Sequence, residues 1–497
     1  MNRFINVTDE VADRTTGETL SHPTKAASSQ MSYGYSHPAN LPDDGRLVAG
    51  YKPMMWFMAL LLAAFLTGCG GGNGSSAPSA AKAITSFSLA WTTGTPSSAT
   101  GYINQTDKTI VVPVPSGTNK AALVATFAFT GVSVKVETLV QQSGTTANDF
   151  TTPKEYIVTA ADGTTAPYTV SVAEWFVDSL GADDVSHGAA TGASAFKTIQ
   201  YAISDSRLLA GDTILVGAGT YTEVGQIVIN KNLNIVGADK ATTIIKPAQD
   251  TGNSVSGDAR GWFLVPAGIT FNLGNVTLDG TGRLIYMGLY YWGNGTVNNC
   301  IISNIKYNES GPDYQGRGMI IKGNVNVTNS TFTEMGRLGI QYFTGSGTAS
   351  GNAITGKGAG AWLDYGFDIG SGAIVNVQNN TISNNTGVVG TEGSAAVLVS
   401  TYFGAGTTAT LTGNTLTDNS IGIAVGVDAS DTSVVVAHSN TISANAFGIA
   451  STQPVVDATY NWWGSASGPY HATLNPSGTG NHVSDFVNFT PWLTVAP

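Results

Sequence analysis

Charged side chains are scarce in this sequence of 497 residues, and their scarcity excludes several classes of protein. Asp, Glu, Lys and Arg make up 11% of the chain, whereas about 25% is usual for soluble domains. A disordered tail needs high charge, and a coiled coil needs Glu, Lys and Leu at heptad spacing. The net charge of −11 also opposes nucleic acid, because both carry the same sign. We therefore expect no nucleic-acid partner.

Long hydrophobic runs are lacking as well, with one exception. Residues 54–66 form a run of thirteen apolar side chains, too short for the roughly 20 residues that span a bilayer. With Arg46 and Lys52 on its N-terminal side, this run predicts the hydrophobic region of a signal peptide. It ends in Leu66-Thr-Gly-Cys69, which resembles the bacterial lipobox. That resemblance implies cleavage before Cys69 and lipidation of its thiol.

The lipobox resemblance divides the first 82 residues into three segments. Residues 54–69 form the predicted signal peptide, and 70–82 form a flexible linker rich in Ser, Gly and Ala. Residues 1–53 lack hydrophobic periodicity and form a poorly structured leader. Because a signal peptide begins near the N-terminus, we hypothesise that translation starts at Met31 or a nearby Met. We expect an exported, monomeric lipoprotein of the bacterial outer membrane, anchored by its lipid and facing the periplasm or the cell surface.

Cysteine is nearly absent, since the chain contains only Cys69 and Cys300. Once Cys69 carries a lipid, no disulfide can form within the chain, so the fold depends on packing. Cys300 has no Cys or His neighbour at zinc-binding spacing, and we expect it to be a small core residue.

Short alternating apolar runs fill residues 83–173 and predict an N-terminal β-sandwich. Turn residues such as Pro115-Ser-Gly117 and Ala161-Asp-Gly163 separate these runs, as is typical of that fold. The stretches 143–150 and 156–163 resemble the Ig-like repeats found behind the lipid anchors of bacterial surface proteins. The resemblance implies a spacer, and the segment contains no candidate for chemistry.

The pattern changes in residues 175–497, the second predicted domain. Apolar residues recur at helical spacing over 194–209 and predict one amphipathic helix with Ser194 as its N-cap. Strand-like runs follow, and one of the first is Gly219-Thr-Tyr-Thr-Glu223. This order resembles the opening of right-handed parallel β-helices of the pectin-lyase-like superfamily. The resemblance implies that the helix caps the open end of a solenoid.

An internal repeat supports a solenoid independently of the resemblance. An apolar column recurs about every 26 residues, as in coils with variable loops, at Leu278, Ile302, Phe332, Ile354, Ile382, Leu416, Ile442 and Trp463. A second column pairs Gly with an apolar residue, and we expect Gly to let the chain turn there, at Gly339, Gly387, Gly422 and Gly448. Asn at the turns should hydrogen-bond to Asn one coil away. We therefore predict an all-β protein, with an N-terminal Ig-like β-sandwich followed by a right-handed parallel β-helix and its short capping helix.

The superfamily contains lyases, hydrolases, esterases, epimerases and non-catalytic adhesins, so the fold leaves the activity open. Gly219-x-Tyr-x-Glu223 matches a pectin methylesterase motif, but the Gln and paired-Asp motifs that carry their catalysis are absent. Asp183-Asp184 matches one polygalacturonase motif, yet it precedes the solenoid, and the other two motifs are missing. Glycoside hydrolysis is disfavoured because no adequate carboxylate pair is present. A lyase stays open, because its base and its neutralising cation come from scattered coils.

Charge distribution locates the candidate site in residues 279–368. No Lys or Arg follows Lys357, whereas cations, acids and aromatic rings, which together suit a sugar, are concentrated before it. The candidate catalytic residues are Lys306, Arg317, Arg337 and Lys357. The candidate substrate-binding residues are Tyr290, Trp292, Tyr307, Tyr314, Tyr342 and Trp362. Asp364 and Asp368 are candidates to share Ca²⁺, the one cofactor that the sequence suggests.

Three interpretations of function stay open at this point. The first is a lipid-anchored cell-surface protein that interacts with polysaccharide, including a lyase on an acidic polysaccharide. The second is a non-catalytic adhesin or structural surface protein, since interleaved charges also occur on ordinary solvated loops. The third is a periplasmic protein of carbohydrate export or modification.

Overall fold

The computed structural model describes most of the chain from residue 77 onward, in the ranges 77–91, 98–106, 108–114, 118–188, 191–252, 257–307, 316–358, 364–387 and 393–497. The predicted leader, the signal peptide and most of the linker lie outside the described residues, as do Cys69, Tyr314 and Trp362. Within the described ranges, no helix is long and apolar enough to cross a membrane.

Short strands in the first described part form an N-terminal β-sandwich. They are β1 Ile84–Ala90, β2 Ser98–Thr100, β3 Tyr102–Asn104, β4 Thr109–Pro113, β5 Leu123–Phe129, β6 Ser133–Val136, β7 Leu139–Val140, β8 Ala147–Asn148, β9 Lys154–Thr159 and β10 Thr165–Ala173. Sheet A has the order β2-β1-β5-β8 and sheet B the order β3-β4-β10-β9-β6-β7. Phe87 packs against Phe127 and edge-on against Tyr156, so aromatic rings fill the core.

The following strands wind into a parallel β-helix, which confirms the predicted fold class. They begin with β11 Trp175–Val177, β12 Thr213–Val216, β13 Gly219–Glu223, β14 Ile227–Val228, β15 Leu233–Gly237, β16 Thr243–Pro247, β17 Gly261–Val265, β18 Thr270–Gly274, β19 Thr277–Asp279, β20 Met287–Tyr291, β21 Asn294–Asn298 and β22 Ile301–Ser303. The middle coils contain β23 Arg317–Ile321, β24 Val325–Thr328, β25 Thr331–Thr333, β26 Leu338–Phe343, β27 Ser346–Ser350, β28 Ala353–Thr355, β29 Tyr365–Gly370, β30 Ile374–Gln378, β31 Thr381–Ser383 and β32 Ala395–Val399. The last coils contain β33 Thr408–Thr412, β34 Thr415–Thr417, β35 Ile421–Val425, β36 Val434–His438, β37 Thr441–Ser443, β38 Phe447–Ser451, β39 Val456–Asp457, β40 Pro469–Tyr470, β41 Gly480–His482 and β42 Val487–Asn488.

Each full coil passes through three long sheets in turn. Sheet C has the order β11-β12-β15-β18-β21-β24-β27-β30-β33-β36-β39-β42. Sheet D has the order β13-β16-β19-β22-β25-β28-β31-β34-β37, and sheet E has the order β14-β17-β20-β23-β26-β29-β32-β35-β38. Every neighbouring pair in these three sheets is parallel, and their inward side chains form one continuous core.

The predicted apolar column is the inward row of sheet D. Each member from Leu278 to Ile442 lies in register with the next coil, and Trp463 closes the row in the core. The row does not open at Leu278 as predicted, because Ile245 and Tyr221 precede it in register.

The predicted glycine column lies in sheet E, but its glycines do not turn the chain. A Cβ on Gly339 would approach the Gly366 carbonyl oxygen of the next coil at 2.6 Å, so the position requires a very small residue. Gly387 is not part of this column, since it lies in the bend before β32. Ala396 takes that place in β32, and both Ala396 and the following Val397 face the core.

The capping helix is shorter than the predicted 194–209. Helix α1 spans Ile199–Ser204 and has Thr198, rather than Ser194, as its N-cap. Glu223 explains this start, because its two carboxylate oxygens accept the backbone N–H groups of Ile199 and Gln200 at 2.8 and 3.0 Å. The glutamate of the Gly-x-Tyr-x-Glu motif therefore joins the helix to the first coil.

Two ladders of buried Asn run through the later coils, which confirms the predicted stacking. In the bend between sheets C and D, each amide donates from Nδ2 to Oδ1 one coil further on, through Asn352, Asn380, Asn414, Asn440 and Asn461. The bend between sheets D and E holds a second ladder of Asn385, Asn419 and Asn445, which Asn481 of β41 continues.

Candidate functional site

The outer face of sheet E places a group of polar side chains between two apolar clusters. The first cluster contains Leu264, Tyr286, Met287, Tyr290 and Ile320, and the second contains Leu338, Tyr365, Ala395 and Ile421. Strands β23, β26 and β29 and the residues that precede them carry the polar side chains. We call Arg317, Arg337, Gln341, Asp364 and Asp368 the polar band.

Strand register explains why the two arginines and Asp364 are close in the stack. Arg317 begins β23 and pairs with Leu338 of β26, which follows Arg337 directly. Leu338 in turn pairs with Tyr365 of β29, which follows Asp364 directly. Arg337 and Asp364 thus occupy matching positions in successive coils. Arg317 is only 4% exposed and lies 5.9 Å from the ring of Tyr286.

Gln341 and Asp368 form the second pair in the polar band. They are register partners on β26 and β29, and Gln341 donates from Nε2 to Asp368 Oδ2 at 2.8 Å. Gln341 Oε1 is buried and has no hydrogen-bond partner among the described residues. A buried acceptor without a donor costs about 1–3 kcal/mol, so this oxygen favours a donor from a ligand or a water molecule.

Asp364 is a nearly buried carboxylic acid at the C-terminal edge of the band. Its Oδ1 accepts the Gly387 N–H at 2.7 Å, and its Oδ2 has no partner within the described part of the chain. Burial raises the pKa of Asp364, although hydrogen bonds from Ser394 and Gly387 and the charge of Lys357 oppose the shift. The neighbouring Tyr365 also has a raised pKa through burial, against which the charge of Arg337 acts. The band therefore places two guanidinium groups beside a buried carboxyl group whose pKa is raised.

An aromatic platform lies beside the band, formed by Tyr290, Trp292, Lys322 and Phe343. Lys322 Nζ is 3.7 Å from the centre of the Trp292 ring and 5.6 and 5.4 Å from those of Tyr290 and Phe343. Trp292 donates from Nε1 to Asp258 at 2.8 Å and is still 38% exposed. Its accessible ring face and the adjacent cation suit a sugar ring with an acidic substituent.

The structure assembles only part of the predicted catalytic set. Arg317 and Arg337 lie together in the band, and Lys357 is close enough for its charge to act on Asp364. Lys306 instead forms an ion pair with Glu334 at 2.6 Å, which joins the bends of two successive coils. Its ammonium group is therefore engaged in holding the coils together.

The predicted substrate-binding tyrosines have different positions. Tyr342 is fully buried in the solenoid core and donates to the Val325 carbonyl at 3.0 Å, so its assignment to substrate is wrong. Side chains alternate along a strand, and Gln341 points outward, so Tyr342 points inward. Tyr290 is 3% exposed, so it belongs to the buried base of the platform and not to its accessible surface. Tyr307 packs edge-on against Tyr286, half-buried at the first apolar cluster.

Asp364 and Asp368 are not placed to share Ca²⁺. They are four positions apart along an extended segment, which separates their Cα atoms by about 13 Å. Oxygen ligands of Ca²⁺ lie about 2.3–2.6 Å from the ion. In the part of the chain that is described, no group of three or more His, Cys, Asp and Glu side chains could hold a metal.

Sequence reasoning missed Gln341 and the role of Lys322. Gln341 is the one polar residue in Leu338-Gly-Ile-Gln-Tyr-Phe343, an otherwise apolar strand. Such an isolated polar residue in a buried strand is a usable signal for an outward-facing functional group. Lys322 carries no comparable signal, because its aromatic partners come from other coils.

Comparisons with known families agree with both parts of the fold. Residues 84–172 match the family described as "SGBP, N-terminal". Residues 288–456 match the family described as "Right handed beta helix region". The chain therefore contains a right-handed parallel β-helix region, which follows a β-sandwich that matches the family described as "SGBP, N-terminal".

Several solved structures are similar in part. Pectin methylesterase PemA from Erwinia chrysanthemi is 11% identical with a TM-score of 0.33, over 52% of this chain and 81% of that one. The PL6 family alginate lyase AlyGC is 16% identical with a TM-score of 0.34, over 57% of this chain and 38% of that one. A family 28 exopolygalacturonase from Yersinia enterocolitica is 11% identical with a TM-score of 0.31, over 76% of this chain and 96% of that one. Similarities of this size carry no argument about activity, and no curated protein matches the chain.

Proposed function

We propose that this protein binds an acidic polysaccharide on the outer face of sheet E. The observation that carries the proposal is the placement of Arg317 and Arg337 on the same face as the aromatic platform. A guanidinium group can pair with a uronate carboxylate through two parallel hydrogen bonds. The exposed ring of Trp292 can stack on the apolar face of an adjacent sugar.

The N-terminal sandwich supports a role in binding at the cell surface. Its matched family carries the abbreviation SGBP, for surface glycan-binding protein. In our proposal the sandwich serves as a spacer between the anchor and the β-helix, and the β-helix carries the glycan site. The domain limits that we propose are 83–173 for the sandwich and 175–497 for the β-helix.

Replacing Arg337 tests the binding site. We expect R337Q to weaken the affinity for polygalacturonate or alginate at least tenfold, because it removes a positive charge from the band. K135Q is the matched control, since Lys135 is an exposed cation on β6 of the sandwich. Titration calorimetry measures the affinities, and thermal melting shows that both variants fold. Equal affinity of R337Q and the parent protein would place the site elsewhere.

A lyase is the second candidate, favoured by the position of Tyr365 beside Arg337. In β-elimination a base removes the proton next to the uronate carboxylate, a C=C bond forms, and the glycosidic oxygen leaves with a proton. Arg337 would neutralise the carboxylate and Tyr365 would exchange the proton. Unsaturated product then absorbs in the ultraviolet, and Y365F should abolish that signal while binding persists. Binding without any absorbance change supports a purely binding protein.

We also propose export and lipid anchoring at Cys69, on the lipobox resemblance of residues 66–69. Expression in a Gram-negative host should give a membrane-bound protein, and C69A should move it to the soluble fraction or block its maturation. Mass spectrometry of the mature N-terminus should find a lipid-modified Cys69. A recovered peptide from before Met31 would contradict the proposed translation start.

A further inference from the structure

A second cleft lies between the sandwich and the outer face of sheet C, away from the polar band. Its volume is about 550 Å³, within the range of about 300–1,000 Å³ that is usual for small-molecule sites. Strands β4 and β10 of the sandwich form one wall, and β15, β18 and β21 of the solenoid form the other.

Direct contacts beside the cleft fix the two walls. Val111 and Ala173 of the sandwich pack against Leu215 of the solenoid. Asn104 donates from Nδ2 to Asn275 Oδ1 at 2.9 Å across the same junction. The cleft is therefore a space between packed parts of one body rather than an open gap between tethered domains.

The solenoid wall presents a chain of amide and hydroxyl groups. Asn272 donates from Nδ2 to Asn234 Oδ1 at 2.8 Å, and Thr296 donates to Asn272 Oδ1 at 2.9 Å. Asn272 Nδ2 makes one hydrogen bond within the described residues, so its second N–H is available as a donor. These bonds hold the polar groups in fixed directions, which lowers the entropic cost of binding.

The sandwich wall presents hydroxyl groups that the protein does not use itself. Thr109 and Thr169 are register partners on β4 and β10, and Ser171 pairs with Val111 on the same two strands. Within the described ranges, no hydrogen bond engages the side-chain oxygens of Thr109, Thr169 or Ser171. Each hydroxyl can donate and accept, as the hydroxyl groups of a sugar do.

The charged side chains that line the cleft have partners within the protein. Lys120 and Glu174 form an ion pair with an N–O distance of 3.2 Å. Asp212 Oδ2 accepts hydrogen bonds from Trp175 Nε1 and the Leu209 N–H at 2.9 and 2.8 Å. Because Lys120 is already paired with Glu174, an acidic sugar would find no unpaired cation among these groups.

We infer that this cleft is a second glycan site, which takes a short, uncharged oligosaccharide. The inference rests on the proposed function only in that the ligand class is a glycan, since the residues of the two sites are separate. A ligand held by both walls would also strengthen the junction between the sandwich and the solenoid.

Two matched glycine substitutions separate the sites. A Cβ on Gly274 would meet only Asn298 O at 3.6 Å, an ordinary contact, so G274F can fill the cleft without backbone strain. Gly370 on β29 is the equivalent on sheet E, where a Cβ would meet Ser400 O at 3.6 Å. T169W on the sandwich wall is a second way to fill the cleft, should G274F fold poorly.

The probes are a panel of uncharged gluco-, xylo-, manno- and galacto-oligosaccharides and, separately, polygalacturonate. We expect G274F and T169W to weaken binding of the uncharged ligand at least tenfold and to leave polygalacturonate unchanged. G370F should do the reverse, and thermal melting controls for folding. The inference is overturned if no uncharged oligosaccharide binds the parent protein, or if both cleft variants bind it normally. If the parent protein does not bind polygalacturonate, or if only the cleft variants lose that binding, the function proposed for sheet E is contradicted instead.

Discussion

The coils before Lys357 and those after it pack the same two bends with different side chains. In the earlier coils the bend between sheets C and D holds Cys300 and Ser330, and the next bend holds Ile305 and Met335. In the later coils both bends hold Asn ladders. All cations of the solenoid lie in the earlier part, because no Lys or Arg follows Lys357.

Each ladder amide joins three coils. Asn414 accepts the backbone N–H and Nδ2 of Asn380 at 3.0 and 2.9 Å. It donates from Nδ2 to Val377 O behind it and to Asn440 Oδ1 ahead of it. This uniform stack satisfies its polar groups without charge, so it needs no ion pairs. In the earlier coils the Asn–Asn bonds are only partly buried, as between Asn299 and Asn275, and an ion pair such as that of Lys306 with Glu334 joins the bends.

The largest loss of stability should follow from a substitution in the middle of a ladder. We expect N414A to destabilise the later coils by about 3–5 kcal/mol, because it leaves several buried donors and acceptors without partners. The midpoint of urea unfolding and the hydrogen-exchange protection of β31, β34 and β37 measure the loss.

The control for this change is N376A, because Asn376 is an exposed Asn on β30 of the same coils. It should change stability by less than about 0.5 kcal/mol. Equal effects of N414A and N376A would show that the ladder does not hold these coils together.

The stability of the first coil should depend on pH, whereas the stability that the Asn ladders provide should not. Burial raises the pKa of Glu223, against the two backbone hydrogen bonds that lower it. A carboxyl group whose folded pKa is raised stabilises most below its unfolded pKa of about 4.5, and this contribution is lost as pH rises through the folded value. The stability difference between the parent protein and E223Q should therefore shift against the parent over that window.

Two measurements complete this test. E223A should cost about 2 kcal/mol near pH 4, where the carboxyl group stabilises most, because the Ile199 and Gln200 N–H groups lose their acceptor. Hydrogen exchange of α1 should follow the pH-dependent difference, after correction for intrinsic rates. A difference between the parent and E223Q that is flat from pH 4 to 8 would contradict the raised pKa.

Asp279 in β19 should make a smaller contribution to stability, with a pH dependence opposite to that of Glu223. Burial acts to raise its pKa, but hydrogen bonds from Thr281 and Asn304 and the ion pair with Lys246 lower it to about 2. A depressed pKa gives stability that is present above the unfolded value of about 3.9 and is lost as pH falls through about 2. We expect D279N to cost about 1 kcal/mol at pH 7 and progressively less below pH 4.

D418N is the matched control for this prediction, since Asp418 is an exposed acid that follows β34 of sheet D in the later coils. It should have almost no effect on stability at either pH. If D418N and D279N behave alike, the pairing with Lys246 and Asn304 contributes nothing.

Much of the fold could be predicted because one side chain per coil must face the core at a fixed place. The row from Leu278 to Trp463 follows from that requirement alone. The sequence wrongly placed Gly387 in the glycine column, where the structure has Ala396. Strands of sheet E point two successive residues inward, as Ala396 and Val397 do, and this departure from simple alternation could not be predicted. The start of α1 was missed because its decisive cap, Glu223, comes from a later strand.

The side chains of the candidate site could be listed from the sequence, but their arrangement could not be predicted. Enrichment in charge and aromatic rings identified the coils of Arg317 and Arg337. Which side chain faces outward depends on strand register, and for that reason Tyr342 was wrongly assigned and Gln341 overlooked. Asp364 and Asp368 looked like neighbours at four positions apart, but an extended chain separates what a helix would bring together.

The smallest effect should come from extending the first ladder by one coil with S330N. Ser330 Oγ already accepts the Cys300 N–H at 3.1 Å, and the Ser330 N–H already donates to Asn352 Oδ1 at 3.0 Å. An amide at this position can keep both bonds and add one from its own Nδ2 to Asn352 Oδ1. The gain is offset by the larger volume beside buried Cys300, so we expect a change within about 1 kcal/mol. Urea unfolding measures the change in the free energy of unfolding. A loss of stability above about 2 kcal/mol would show that the earlier bends require small side chains. The two sets of coils would then differ because of the space in their bends and not because of their hydrogen bonds.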